Sequence, residues 1–215
     1  MLLTAHSGAN GTAPNTIEYF DAMKNVNVDV VEIDIRLLRK GFFITHDRVF
    51  FPEKKGLLPV SYAFDFIKKY DFLINCDLKK PGYVGYVTAV AEKMGVQDRV
   101  IFTGSVCDKE GLSNLRFGDV YVNPDYLPKL IPENVKKIKT LLRDMGPRIK
   151  GVNVNYAKTP DAFFHACAEE NVPVSVFTVD DEKLIKKYAA FPAVANITTR
   201  LADKALAILG REAIK

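Results

Sequence analysis

Short β-branched and apolar runs alternate along the chain with longer stretches of helical period. The runs occupy residues 2–6, 29–35, 72–78, 100–103, 120–122, 151–154, 174–179 and 194–197. Amphipathic helical patterns fall between them at 16–24, 83–94, 132–145, 161–170, 182–188 and 201–209. Asn15 and Asp161 stand near expected helix starts, and Gly95 and Gly146 where helices should stop. Strand and helix thus repeat about eight times, the number that closes a (β/α)8 TIM barrel. The expected fold is therefore α/β, one barrel domain over residues 1–215. The competing architecture is an open doubly wound sheet, but neither G-x-G-x-x-G nor G-x-x-x-x-G-K-[ST] occurs to support its usual cofactors.

One segment breaks the alternation. After the second run come Arg36–Gly41, a second apolar run at 42–45 ending in His46-Asp47, and a breaker-rich stretch at 50–59. This reads as an inserted hairpin and loop over 36–60, with a turn at Lys40-Gly41, a surface loop at 50–59, and the next helix starting near Ser61. Insertions after barrel strands are where active-site groups collect.

Within the second run, Val31, Ile33 and Ile35 share one face, while Val30, Glu32 and Asp34 share the other. Packing the aliphatic face on the helices sends Glu32 and Asp34 into the barrel. The third run repeats the arrangement, with Asn75, Asp77 and Lys79 opposite Ile74, Cys76 and Leu78. The first run ends in His6 and the return strand in His46. Asn155 and Tyr156 follow the sixth run, and Asn123 and Asp125 the fifth, which makes them candidate substrate contacts at the mouth.

Composition narrows the function classes. With 48% hydrophobic and 26% charged residues the chain has ample apolar surface for a core, which excludes disorder. No apolar run approaches the ~18 residues of a membrane span, so no membrane insertion is expected. The 30 basic and 26 acidic residues are dispersed, which argues against a nucleic-acid surface. The start, Met-Leu-Leu-Thr-Ala-His, has no charged segment before a long apolar one; no signal peptide is expected, and the expected location is cytoplasmic. Cys76, Cys107 and Cys167 form no C-x-x-C pair and fit buried free thiols better than a disulfide or zinc site. His165 lies inside a helical stretch and is read as structural.

Three inward carboxylates, Glu32, Asp34 and Asp77, cannot share a low-dielectric site unless they bind protons or a cation. Oxygen ligands alone suit a hard divalent ion, Mg²⁺ or Ca²⁺. A cation beside two imidazoles and an ammonium is suited to phosphate esters, because it neutralises charge while His6 and His46 move protons near neutrality.

At these residues the sequence resembles the glycerophosphodiester phosphodiesterases. That family carries H-R-G at its first strand end, P-E-N-T opening its first helix, G-x-D-x-x-E-x-D-V on its second strand and H-D after a short excursion. It continues with N-x-E-x-K, W-T-V-N and I-T-D near the third, seventh and eighth strands. Here the elements read His6-Ser7-Gly8, Ala13-Pro14-Asn15-Thr16, Val28-Asp29-Val30-Val31-Glu32-Ile33-Asp34-Ile35 and His46-Asp47. The later ones read Asn75-Cys76-Asp77-Leu78-Lys79, Phe177-Thr178-Val179-Asp180 and Ile197-Thr198-Thr199. The likeness runs end to end, with its specific part in residues 6–79.

The departures are Ser7 for arginine, Pro14 for glutamate, Asp77 for glutamate and Phe177 for tryptophan, in a chain with no tryptophan at all. The stretch after His46 is also shorter than the family's. The resemblance implies a phosphoric diester hydrolase acting on a small-molecule glycerophosphodiester, with His6 and His46 catalytic and Glu32, Asp34 and Asp77 holding the cation. One histidine deprotonates the glycerol 2-hydroxyl, the other protonates the departing alcohol, and water opens the resulting cyclic phosphate. By the same resemblance Lys79 would stabilise charge on phosphorus and Phe177 would form an apolar wall, while Asn155 is a candidate substrate contact by its place after the sixth run. The related phospholipase D toxins of spiders and their bacterial relatives also use two histidines with Glu, Asp and a third Asp. They offer the alternative of a lyase that stops at the cyclic phosphate. A non-catalytic phosphodiester-binding barrel is the other alternative.

Overall fold

The computed structural model describes residues 1–38, 41–48 and 56–212. Eight parallel strands close into a barrel: β1 (Leu2–Ala5), β2 (Val30–Leu38), β5 (Leu73–Leu78), β6 (Val100–Gly104), β7 (Asp119–Val122), β8 (Ile149–Asn155), β9 (Val174–Phe177) and β10 (Val194–Thr199). Closure is made at β1, which pairs with β10 from Leu2↔Asn196 to Ala5↔Thr199 and with β2 at Thr4↔Val30 and Ala5↔Val31. The helices α1 (Ile17–Met23), α2 (Val60–Tyr70), α3 (Val84–Met94), α4 (Lys109–Asn114), α5 (Val135–Met145), α6 (Asp161–Glu169), α7 (Glu182–Ala189) and α8 (Ala202–Ile208) connect successive barrel strands or follow the last. The barrel expectation therefore holds, and the open-sheet alternative does not.

The insertion is an antiparallel extension of the barrel wall. β3 (Gly41–Ile44) runs back along β2, with Leu38 opposite Gly41, and β4 (Leu58–Pro59) pairs with β3. The following helix starts at Val60, one residue before the expected Ser61. The Lys40 side of the expected turn, and residues 50–55 of the expected loop, lie outside the described residues.

The alternation along each strand sorts the core into two parts. Val31, Ile33, Ile35, Ile74, Cys76 and Leu78 are buried in the main cluster between barrel and helices. Val30, Ile101 and Tyr121 form a separate cluster with Leu2, Leu73 and Ala195. Above this plug the interior turns polar. Thr4 donates to Asn196 at 2.7 Å, Asn196 to Ser175 at 3.0 Å, and Thr103 to Asn75 at 3.1 Å. Stepping two residues at a time, β1 reads Leu2, Thr4, His6; β2 reads Val30, Glu32, Asp34; β5 reads Leu73, Asn75, Asp77. Each series begins apolar and ends in an ionisable residue toward the C-terminal mouth, with a polar group or a carboxylate between, so the pleat itself delivers the reactive groups to one end.

A carboxylate cluster and two histidines at the barrel mouth

Glu32, Asp34 and Asp77 each place a carboxylate oxygen within 4.8 Å of the others. The register that does this is the in-step pairing of β2 and β5, which sets Glu32 opposite Asn75 and Asp34 opposite Asp77. Glu32 and Asp34 are buried, and Asp77 is half-buried. Glu32 accepts a hydrogen bond from the Ser7 amide at 2.9 Å. Burial raises its pKa well above the ordinary carboxylate range, and the neighbouring Asp34 and Asp77 add to this. Asp34 accepts from Asn15 Nδ2 at 2.7 Å and Ser7 Oγ at 3.3 Å. Burial raises Asp34 too, but the Lys79 ammonium and the Asn15 hydrogen bond outweigh it and hold the group below its ordinary value. Lys79 bridges Asp34 and Asp77 at 2.5 Å to each. Burial lowers its pKa, and the attraction of the two carboxylates overcomes that and raises it. Three oxygen donors this close, two of them buried, fit a hard divalent cation.

His6 follows β1 directly, beside this cluster. Its Nδ1 donates to the Ser7 carbonyl at 2.8 Å and lies 3.8 Å from Glu32. A carbonyl can only accept, so the neutral ring carries its proton on Nδ1 and its lone pair on Nε2. Burial lowers the His6 pKa, with Arg200 acting in the same direction. His46 lies across the mouth after β3, with Nδ1 3.1 Å from Asp47 Oδ1 and its backbone carbonyl held by Arg36 Nε at 2.7 Å. At 65% side-chain exposure it is far more open than His6 at 20%.

A cavity of about 640 Å³ joins these groups. His6, Asp34, His46, Asp77, Lys79 and Phe177 line it, so these six residues singled out from the sequence meet on one surface, while Asn123, Asp125 and Tyr156 are not part of its lining. Glu32 lies directly behind, reached through Ser7. Asn155 does not line this cavity. Its side chain accepts from the Ala157 amide at 2.9 Å and caps a short turn, because the last residue of a strand is also where the following turn needs an acceptor. Asn123 is likewise occupied, accepting from Asn153 Nδ2 at 2.9 Å and from the Gly104 amide at 3.3 Å.

Four contributors escaped the sequence reading. Asn15 looked like a helix cap, but Thr16 caps α1, accepting from Tyr19 N at 3.4 Å. Asn15 instead adopts φ +59°, donates to Asp34, and accepts from the Asp34 amide at 3.1 Å. Ser7, noted only for the missing arginine, binds both Glu32 and Asp34. Gly104 has φ +79°, and a Cβ there would collide with the Asp77 carboxylate and the Leu78 backbone. Arg200 lines the cavity one residue past β10. The inward series Asn196, Thr198, Arg200 would have revealed it had the last run not been ended at Ile197.

No protein-family model and no curated protein matches this sequence. Solved structures do match its fold. A glycerophosphodiester phosphodiesterase from Parabacteroides distasonis has a TM-score of 0.74 at 18% identity, covering 97% of this chain and 96% of that one. A phosphodiesterase from Oleispira antarctica, in complex with the product sn-glycerol-3-phosphate, also gives 0.74, at 16% identity over 98% and 97%. The N-(5'-phosphoribosyl)anthranilate isomerase of Pyrococcus furiosus covers 98% of each chain but reaches only 0.59 at 10% identity. At these identities the likeness establishes the barrel, while chemistry must be argued from the site.

Proposed function

We propose that this protein is a metal-dependent glycerophosphodiester phosphodiesterase, a phosphoric diester hydrolase that releases glycerol 3-phosphate and an alcohol. The observation that carries this reading is the meeting of the Glu32, Asp34 and Asp77 carboxylates with His6 and His46 around one cavity. The likeness to solved phosphodiesterases, one of them holding glycerol 3-phosphate, supports the same reading. A cavity of about 640 Å³ suits a small-molecule diester.

Glu32, Asp34 and Asp77 would hold Mg²⁺ or Ca²⁺. Such a cation, when bound, would offset phosphate charge and favour the ionised glycerol hydroxyl. His6 is set to accept a proton at Nε2, since its Nδ1 proton is committed to the Ser7 carbonyl. His46, at the exposed rim, can meet the other oxygen of the diester and give its proton to the departing alcohol. Attack by the glycerol 2-hydroxyl forms a cyclic phosphate, which water opens with the histidine roles reversed. Lys79 is positioned to stabilise charge gathering on phosphorus, and Phe177 contributes an apolar wall for the alcohol. Three unpaired buried cysteines fit a reducing compartment such as the cytoplasm, and no described helix is long and apolar enough to cross a membrane.

The test is a panel of glycerophosphodiesters with different alcohol groups, with products identified in the presence of each cation. Release of glycerol 3-phosphate supports the hydrolase, and a stable cyclic ester would replace it with the lyase reading. Ligand binding without any cleavage would leave a binding barrel instead.

A further inference from the structure

Among the described residues, two permanently charged cations line the cavity, Lys79 and Arg200, and their situations differ. Lys79 is held between Asp34 and Asp77, so its charge is offset on both sides. Arg200 has one acidic partner among the described residues, Asp180, and its side chain is 47% exposed. That contact uses Nη1 alone, at 2.7 Å from Asp180 Oδ2, and the other guanidinium N–H groups have no protein acceptor among the described residues. The opposite oxygen of Asp180 accepts from the Arg200 backbone amide at 2.7 Å and from Thr199 Oγ1 at 3.4 Å. The Arg200 carbonyl in turn accepts from the Asn10 amide at 2.7 Å. Both the backbone and one corner of the guanidinium are thereby fixed before any ligand arrives.

The location follows from strand register. β1 and β10 pair in parallel with Ala5 opposite Thr199, so the next residues, His6 and Arg200, leave neighbouring strand ends at the same height. The His6 amide donates to the Thr199 carbonyl at 2.9 Å, tying the two ends together. Arg200 continues the inward alternation of Asn196 and Thr198, which are buried in the barrel's polar interior. It therefore stands beside one histidine and on the same cavity as the carboxylate cluster.

Ser7, directly after His6, is fully buried and spends its amide and hydroxyl on Glu32 and Asp34, so that position presents no cation to the cavity. A phosphodiester bound here has two non-bridging oxygens sharing a negative charge. A planar guanidinium with free N–H groups meets that pattern in a way a point charge does not. We infer that Arg200, held by Asp180, is the phosphate-binding cation of this site, gripping a non-bridging oxygen from the β10 side of the mouth. This inference rests on the phosphodiesterase reading above and adds to it the residue that recognises the anion.

The test uses Arg200→Gln and Arg200→Lys in the full chain. KM for the best glycerophosphodiester and the Kd of inorganic phosphate are measured with saturating cation, with inhibition by glycerol as the uncharged control. Losing a charge-assisted hydrogen bond predicts both constants rising about 10- to 100-fold in Arg200→Gln. The glycerol constant is expected to stay within about twofold, a selectivity that a merely structural arginine would not produce. Arg200→Lys keeps the ion pair with Asp180 but loses the fork, and is expected to fall between the two. It also decides the matter if Arg200→Gln fails to fold. Phosphate affinity and KM unchanged in the variants, in a protein whose wild type cleaves the diester, would overturn the inference while leaving the phosphodiesterase reading intact. Parallel loss of phosphate and glycerol binding would overturn it too, as the mark of a collapsed site. A wild type that neither cleaves any diester nor binds phosphate would remove the reading and the inference together.

Discussion

Glu32 sets stability against function within one side chain. Its pKa is raised by burial and by Asp34 and Asp77, so the metal-free fold favours its protonated form more than the unfolded chain does. A raised carboxyl adds stability below its unfolded pKa of about 4.3, and that stability is lost as pH rises through the folded value. Glu32→Gln has no such loss. In the presence of a chelator, its Tm relative to wild type is expected to be higher at about pH 8 than at about pH 4, while its activity falls at least about 100-fold. A Tm difference that does not change with pH would contradict the assignment of Glu32 as the carboxyl whose pKa the fold raises. His6→Ala and His46→Ala are each expected to lower kcat by about 10²–10⁴-fold, the usual range for a proton-transfer group. A variant keeping a third of wild-type kcat would remove that histidine from the mechanism. Residue identity was readable in the sequence wherever a β alternation could assign a face, as for Glu32, Asp34 and Asp77. Asn15 could not be read this way: its left-handed backbone and its two bonds to Asp34 depend on a partner nineteen residues away.

At the level of elements, the ends of strands matter more than their middles. β6 ends in Gly104, where only a residue without Cβ leaves room for the Asp77 carboxylate and tolerates φ +79°. Gly104→Ala is expected to displace Asp77, weaken divalent-cation affinity at least about fivefold by calorimetric titration, and cost about 1–3 kcal/mol of stability. Unchanged affinity would mean that Asp77 is not held by this contact. Strand and helix positions were legible because period 2 and period 3.6 are written into the apolar residues themselves. Their boundaries were not. α4 went unseen because its six residues include Gly111, and its start is marked only by Asp108 accepting from the Gly111 amide at 2.8 Å. Ending the last strand at Ile197 hid Arg200 for the same reason: Thr198 and Thr199 carry no apolar signal, yet they continue the pairing with β1.

Over the whole molecule, one gradient repeated on several strands makes the site. Apolar residues plug the barrel's N-terminal end, polar residues bond across its middle, and ionisable residues gather at the mouth. Strand count and inward alternation were enough to foresee the ionisable groups at the mouth, but not the apolar plug or the polar layer beneath them. Nor could they foresee which mouth residues are already committed, as Asn155 and Asn123 are to nearby backbone and side chains. A cation that binds only the folded carboxylate cluster must stabilise the whole barrel. At a concentration about 100 times Kd the gain is about 2.7 kcal/mol, or about 5–10 °C in Tm for a chain of this size. Asp34→Asn should lose most of that shift, and a full shift in that variant would place the cation elsewhere. The most direct test of the functional reading is phosphorus NMR of a glycerophosphodiester incubated with the protein, with Mg²⁺ or Ca²⁺ and then with excess chelator. The account predicts that the diester resonance gives way to that of glycerol 3-phosphate and that the chelator stops the conversion. A diester untouched in the presence of either cation, or cleaved equally well with the chelator, would contradict it.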